Sequence, residues 1–73
     1  MTYNDAREKQ YEREVRRNAY RLGIGIRVEN GECFLVEEGR AHPLCRPHLP
    51  KRFWYETWLA LKRRYPLLPK FIR

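Results

Sequence analysis

Apolar residues recur along this chain with two different periods. From residue 4 to 22 they are sparse: Tyr11, Val15, Ala19 and Leu22 fall at i, i+4, i+8 and i+11. That spacing predicts a helix over 4–22 with a narrow apolar seam. Asn4 or Asp5 can cap it, Asp5 and Glu8 have the spacing of a capping box, and Gly23 stands where a glycine ends a helix. Glu12–Arg16 and Asp5–Lys9 are favourable pairs four residues apart, whereas Lys9/Arg13 and Arg13/Arg17 oppose them. Before Tyr11 the seam has little to bury. Residues 1–9 are therefore expected to be flexible, or to order on a partner.

The period then changes to two. Ile24-Gly25-Ile26-Arg27-Val28-Glu29 and Glu32-Cys33-Phe34-Leu35-Val36-Glu37 flank Asn30-Gly31. Asn-Gly suits the two positive-φ positions of a type I′ turn, so this stretch predicts a β-hairpin. A two-residue turn also sets the register: Glu29 opposite Glu32, Val28 opposite Cys33, Arg27 opposite Phe34, Ile26 opposite Leu35. One face then carries Ile24, Ile26, Val28, Cys33 and Leu35, and the other Arg27, Phe34 and Val36. A lone hairpin is marginal in water and needs a helix across its apolar face.

Residues 38–41 leave the hairpin. Pro43, Pro47 and Pro50 punctuate 42–50, which predicts a rigid loop without regular structure. A third strand drawn from this loop or from the tail is the alternative. A second helix is predicted over 51–65, with Pro50 near its first turn. Trp54, Trp58, Leu61 and Tyr65 share one face, widened by Tyr55 and Leu59, and are expected to cover the hairpin. Pro66 ends the helix, and 66–73 reads as an extended apolar tail. The expected architecture is one small α+β domain over 1–73: helix, Asn-Gly hairpin, proline-rich loop, aromatic C-terminal helix on the hairpin. A core this small rarely supplies more than ~3–5 kcal/mol unaided.

Charge divides the same chain in two. Of its 16 cations 12 are Arg. Residues 1–39 hold 7 cations and 8 acids, while residues 40–73 hold 9 cations and the single acid Glu56. A near-neutral half and a half of net +8 predict two kinds of surface, the second meeting an anionic partner. Arginine favours bidentate contacts with phosphate or carboxylate. The candidate partner-binding residues are Arg7, Arg13 and Arg17 on the first helix, Arg52, Lys62, Arg63 and Arg64 on the second, and Lys70 in the tail. No apolar run is long enough to span a bilayer, and no apolar leader is read, so the expectation is a monomeric chain away from membranes.

Candidate chemistry changes this picture little. The chain has no serine, its acids lie apart from its histidines, and no glycine loop is followed by G-K-[ST]. It is not expected to be an enzyme. Cys33, His42, Cys45 and His48 match a structural zinc set by type, but their spacing lacks the usual C-x2-4-C knuckle. Cys33 also falls on the apolar face, where a buried thiol needs no metal. No cofactor is favoured, and those four residues are the ligands if zinc is held. Trp54, Trp58 and Tyr65 read as core before they read as a stacking platform for bases.

The mixed-charge helix Asp5 to Arg21, the basic stretch Lys51 to Arg73, the small size and the lack of a catalytic motif carry one resemblance. The chain resembles the small RNA-polymerase-binding transcription regulators of lytic phages such as those of Xanthomonas. The resemblance implies binding to the amino-terminal part of the β′ subunit of bacterial RNA polymerase, inhibition of σ-dependent promoter initiation, suppression of termination, and residence in the cytoplasm of the infected host. It transfers no individual residue. The alternatives from the residues themselves are a small basic DNA- or RNA-binding regulator, such as an excision or repression factor, and a zinc-stabilised interaction module.

Overall fold

The computed structural model describes residues 4–66. Helix α1 (Asn4–Leu22) is followed by strands β1 (Gly25–Glu29), β2 (Glu32–Glu37) and β3 (Arg40–Cys45), a 3-10 turn (Pro50–Arg52) and helix α2 (Phe53–Arg64). The strands form an antiparallel sheet in the order β1-β2-β3. Both helices pack on one face of it, giving an α+β fold of two layers.

The local rules explain the joints. At the end of α1, Gly23 has φ 74°; its N–H donates to the Tyr20 carbonyl at 3.0 Å, and the Ile24 N–H donates to the Ala19 carbonyl at 2.9 Å. This is the Schellman arrangement, which satisfies the last carbonyls and turns the chain into β1. The first hairpin has the predicted register throughout. Its like-charged end is defused, because Arg27 pairs with Glu29 at 3.2 Å and Arg46 with Glu32 at 3.0 Å.

The segment after the hairpin departs from the loop reading. Glu38 and Gly39 have φ 51° and 78°, repeating the left-handed pair Asn30 (49°) and Gly31 (73°). They make a second two-residue turn, and 40–45 returns as β3. Proline is tolerated there for two reasons. β3 is an edge strand, and counting from the Glu37–Arg40 pair puts Pro43 opposite Phe34 at a non-hydrogen-bonded position. Its nitrogen faces the open edge, where no ladder donor is needed. Between Phe34 and Cys33 the register shifts, so Leu44 and Cys45 both stand against Cys33. This bulge lets Leu44 pack on the core while Cys45 becomes the partner of Cys33.

The core is Val15, Ala19, Ile24, Leu35 and Leu61, with Cys33 also fully buried. Two expectations about its edges need correction. Leu22, assigned to the α1 seam, is exposed, and Ile24 folds in after the Gly23 turn instead. Val28, assigned to the core face, is 43% exposed and lines an open groove at the hairpin tip.

The two helices run side by side in the same direction: Glu8 meets Trp54 and Tyr55, Tyr11 meets Tyr55 and Trp58, and Glu14 meets Trp58. α2 lies nearest α1 and β3, rather than across the middle of the first hairpin. Its fully buried line is therefore Thr57 and Leu61, and Trp54, Trp58 and Tyr65 flank that line half-buried. The expected first turn of the second helix is the tighter 3-10 turn that begins at Pro50. Residues 1–3, most of the tail and Lys70 lie outside the described residues.

Candidate functional site

The second helix carries the features that face outward, so its construction comes first. Its N-terminus leaves amide donors without helical acceptors. Glu8 supplies them from α1: Trp54 N–H donates to Oε1 at 2.7 Å and Tyr55 N–H to Oε2 at 3.2 Å. Both carboxylate oxygens of Glu8 are used across the helix pair. Glu56 accepts the His48 N–H at 3.2 Å, tying the loop to the same end of α2.

Three aromatic side chains in the first half of this helix, Trp54, Tyr55 and Trp58, then each have a ring and a cation beside them. Trp54 meets Phe53 edge-on at 4.9 Å and carries the Arg16 guanidinium at 5.2 Å. Tyr55 meets Tyr11 at 5.2 Å and carries Arg52 at 5.3 Å. Trp58 meets Tyr11 at 5.1 Å and carries the Lys62 ammonium at 5.6 Å. Such pairs add to burial through the quadrupole of the ring. Each cation also lies over one face of its ring.

Between the helices, Glu14 accepts the Trp58 Nε1–H at 2.9 Å and is 7% exposed. Burial pushes its carboxyl above the ordinary value, and the Trp58 hydrogen bond, Arg17 and Lys62 pull it back. Arg17 and Lys62 are thus gathered around one buried carboxylate.

The candidate cations are consequently not one patch. Arg7, Arg13 and Arg17 are exposed along α1. Arg52 starts α2, and Lys62, Arg63 and Arg64 end it, about 15 Å further along the axis. Arg63 and Arg64 are exposed at that end, while Lys62 is half-buried over Trp58. Because the helices are parallel, the basic last turns of both lie at the same end.

At the opposite end is an open groove of about 690 Å³. Phe53 and Trp54 form one wall, Pro47 and Pro50 another, and Val28 and Gly31 of the hairpin tip the third. Arg16, Lys51 and Glu8 complete the lining. This accounts for the exposure of Val28. The sequence offered no signal for the groove, because its walls come from three separated segments.

The four zinc candidates are divided. Cys33 and Cys45 are strand partners, and both are free thiols. His42 lies opposite Leu35 on β3, and His48 is exposed in the loop. Among the described residues, no three His, Cys, Asp or Glu side chains converge to hold a metal. Neither thiol is poised as a nucleophile, since burial pushes Cys33 up to about 11 and moves Cys45 the same way. Thr57 lies against both thiols, close enough to steady their anionic forms, yet its buried Oγ1 makes no hydrogen bond of ordinary geometry. Among the described residues no helix is long and apolar enough to cross a membrane. Comparison with known proteins gave no matching family model, no matching curated protein and no matching solved structure.

Proposed function

We propose that this chain is a regulator that works by docking on a macromolecular machine, without catalysis of its own. The observation that carries this reading is the use of the aromatic side chains of α2. Trp54, Tyr55 and Trp58 each have a ring and a cation of the same chain packed against them. Rings so engaged are poor platforms for stacking bases. What remains outward is an exposed cationic helix end at Arg63 and Arg64 and a groove of aromatic, proline and aliphatic side chains. The groove carries its own cations, Arg16 and Lys51, and a second cationic patch stands at the far end of α2; together they suit a protein surface with acidic patches.

The target implied by the resemblance to phage regulators is bacterial RNA polymerase, through its β′ subunit, in the cytoplasm of the infected host. The proposed outcome is less σ-dependent initiation and less termination. The net +8 of residues 40–73 also supports a second reading, a small regulator that binds DNA or RNA directly.

One experiment separates the two. The chain is used as bait in bacterial lysate, with and without nuclease. Polymerase subunits retained after nuclease, together with lower promoter output and higher terminator read-through in reconstituted transcription, support the proposal. Loss of all partners on nuclease treatment, or unchanged transcription, overturns it.

A further inference from the structure

We propose that Cys33 and Cys45 are the two halves of an intramolecular disulfide site that fastens the edge strand β3 to β2. The two residues are direct partners across antiparallel strands. Regular antiparallel partners have Cα atoms roughly 4.5–5.5 Å apart, and a disulfide spans roughly 4.4–6.8 Å, which leaves room for the offset that the bulge introduces. Their side chains share the helix face, since both lie against Thr57. Both are free thiols.

Two neighbouring features fit a covalent link at this place. The first is the bulge. Cys33 faces both Leu44 and Cys45, so the ladder is interrupted at the last pair of β3. A disulfide there would hold what the backbone holds less well. The second is Thr57, whose fully buried hydroxyl has no hydrogen-bond partner beside the two sulfurs. A disulfide removes both thiol protons, leaving sulfur acceptors next to that hydroxyl.

The two thiols differ in access, which orders the chemistry. Cys33 is fully buried and Cys45 half-buried. The oxidant required is a small-molecule disulfide. The Cys45 thiolate attacks one of its sulfurs, forming a mixed disulfide and releasing one small thiol. The Cys33 thiolate then attacks the Cys45 sulfur, forming the protein disulfide and releasing the second small thiol. Two protein thiols are oxidised, and one small disulfide is reduced to two thiols. Burial keeps both protein thiols largely protonated at neutral pH, so the exchange with the small disulfide is slow there and speeds up as pH rises. The product would pin the chain just before Pro47 and Pro50, which line the groove.

The test uses the full chain in mixtures of oxidised and reduced glutathione, quenched by acid, alkylated and read by intact mass and peptide mapping. The expected product is a monomer lighter by two hydrogens, with Cys33 joined to Cys45. The effective concentration of the two thiols should be roughly 30- to 1000-fold higher in the native chain than in concentrated denaturant. The oxidised chain should melt about 10 °C higher than the reduced one. Cys45→Ser should give no such product. A stable mixed disulfide on Cys45, a dimer joined through Cys45, or equal effective concentrations in native and denatured chain would overturn the proposal.

Discussion

Glu8 closes the N-terminus of a helix that begins far along the chain: its Oε1 accepts the Trp54 amide at 2.7 Å across a separation of 46 residues. The bond joins the starts of two parallel helices, whose dipoles point the same way. A carboxylate between two positive helix ends is favourable for both. α2 depends on this partner because Arg52, at its own N-cap, makes no side-chain cap. Glu8→Ala should therefore cost about 1–2 kcal/mol, more than an ordinary exposed glutamate. Glu8→Gln keeps one acceptor and should lose roughly half as much. Denaturant melts of the three chains check this, and equal midpoints would mean the cap contributes nothing.

The second hairpin turn is less well matched to its sequence than the first. Asn30 and Glu38 both sit in the left-handed region, at φ 49° and 51°. Asparagine adopts this conformation readily and glutamate does not. Glu38→Asn should stabilise the chain by about 0.5–1 kcal/mol, and Asn30→Ala should destabilise it by a similar amount. Thermal melts of both variants measure the pair of opposite signs.

These features mark where the sequence was legible and where it was not. Short-range rules worked wherever local chemistry set the conformation. Gly23 ends α1, and Asn30-Gly31 fixes every pair of the first hairpin. In sequence β3 reads as a loop, because Pro43 counts against a strand until its place on the open edge is known. Thr57 gives no signal in sequence because a hydroxyl does not register in an apolar stripe, yet with Leu61 it forms the buried line of α2. Glu14 and Asn18 read as the polar side of α1 for the same reason, and both are buried. The separation of Arg52 from the Lys62–Arg64 cluster could be counted in sequence, but the groove between the start of α2, the proline loop and the hairpin tip could not.

Glu14 gives the fold an unusual pH response. Burial raises its carboxyl above the ordinary value near 4.5, so the folded chain holds that proton more tightly than the unfolded chain. Stability contributed through Glu14 is then highest below pH 4.5 and falls as pH rises from there through the folded value. Glu14→Gln keeps an oxygen for the Trp58 Nε1–H and cannot ionise. It should stay within about 1 kcal/mol of the parent at neutral pH while losing this part of the pH slope. Stability measured from pH 4 to 7, at about half-unit steps, gives the two curves. Parallel curves would show that Glu14 does not titrate differently on folding.

Trp58 is half-buried, and its hydrogen bond counts for as much as its packing. Leu61 is 1% exposed and lies in the core, so Leu61→Ala should cost about 2–5 kcal/mol. Trp58→Phe keeps most of the ring contact but deletes the donor to Glu14, leaving a buried carboxylate short of one hydrogen bond. That change should cost about 1–3 kcal/mol at neutral pH and less in acid, where Glu14 is protonated. The pairing of Trp58→Phe with Glu14→Gln then tests coupling directly: the double variant should lose less than the sum of the two.

The exposed end of α2 sets the last expectation. Arg63 and Arg64 are outward, whereas Lys62 lies over Trp58 and Arg52 over Tyr55. Changing Arg63 and Arg64 together to Glu reverses charge at one end of the molecule without touching the buried line Thr57–Leu61. If this end meets acidic protein, the double variant should slow association with polymerase by roughly ten-fold or more, with the largest effect at low salt. Apolar contacts in the groove would hold the residual affinity, so dissociation should change less. Direct binding to nucleic acid behaves otherwise: equilibrium affinity falls steeply with salt, because each neutralised phosphate releases counterions. The proposal therefore expects weak binding to free DNA or RNA at physiological salt, and kinetics on immobilised polymerase that change mainly in the on-rate. Tight binding to a short duplex, lost in the double variant while polymerase kinetics stay unchanged, would assign the cationic helix end to nucleic acid instead.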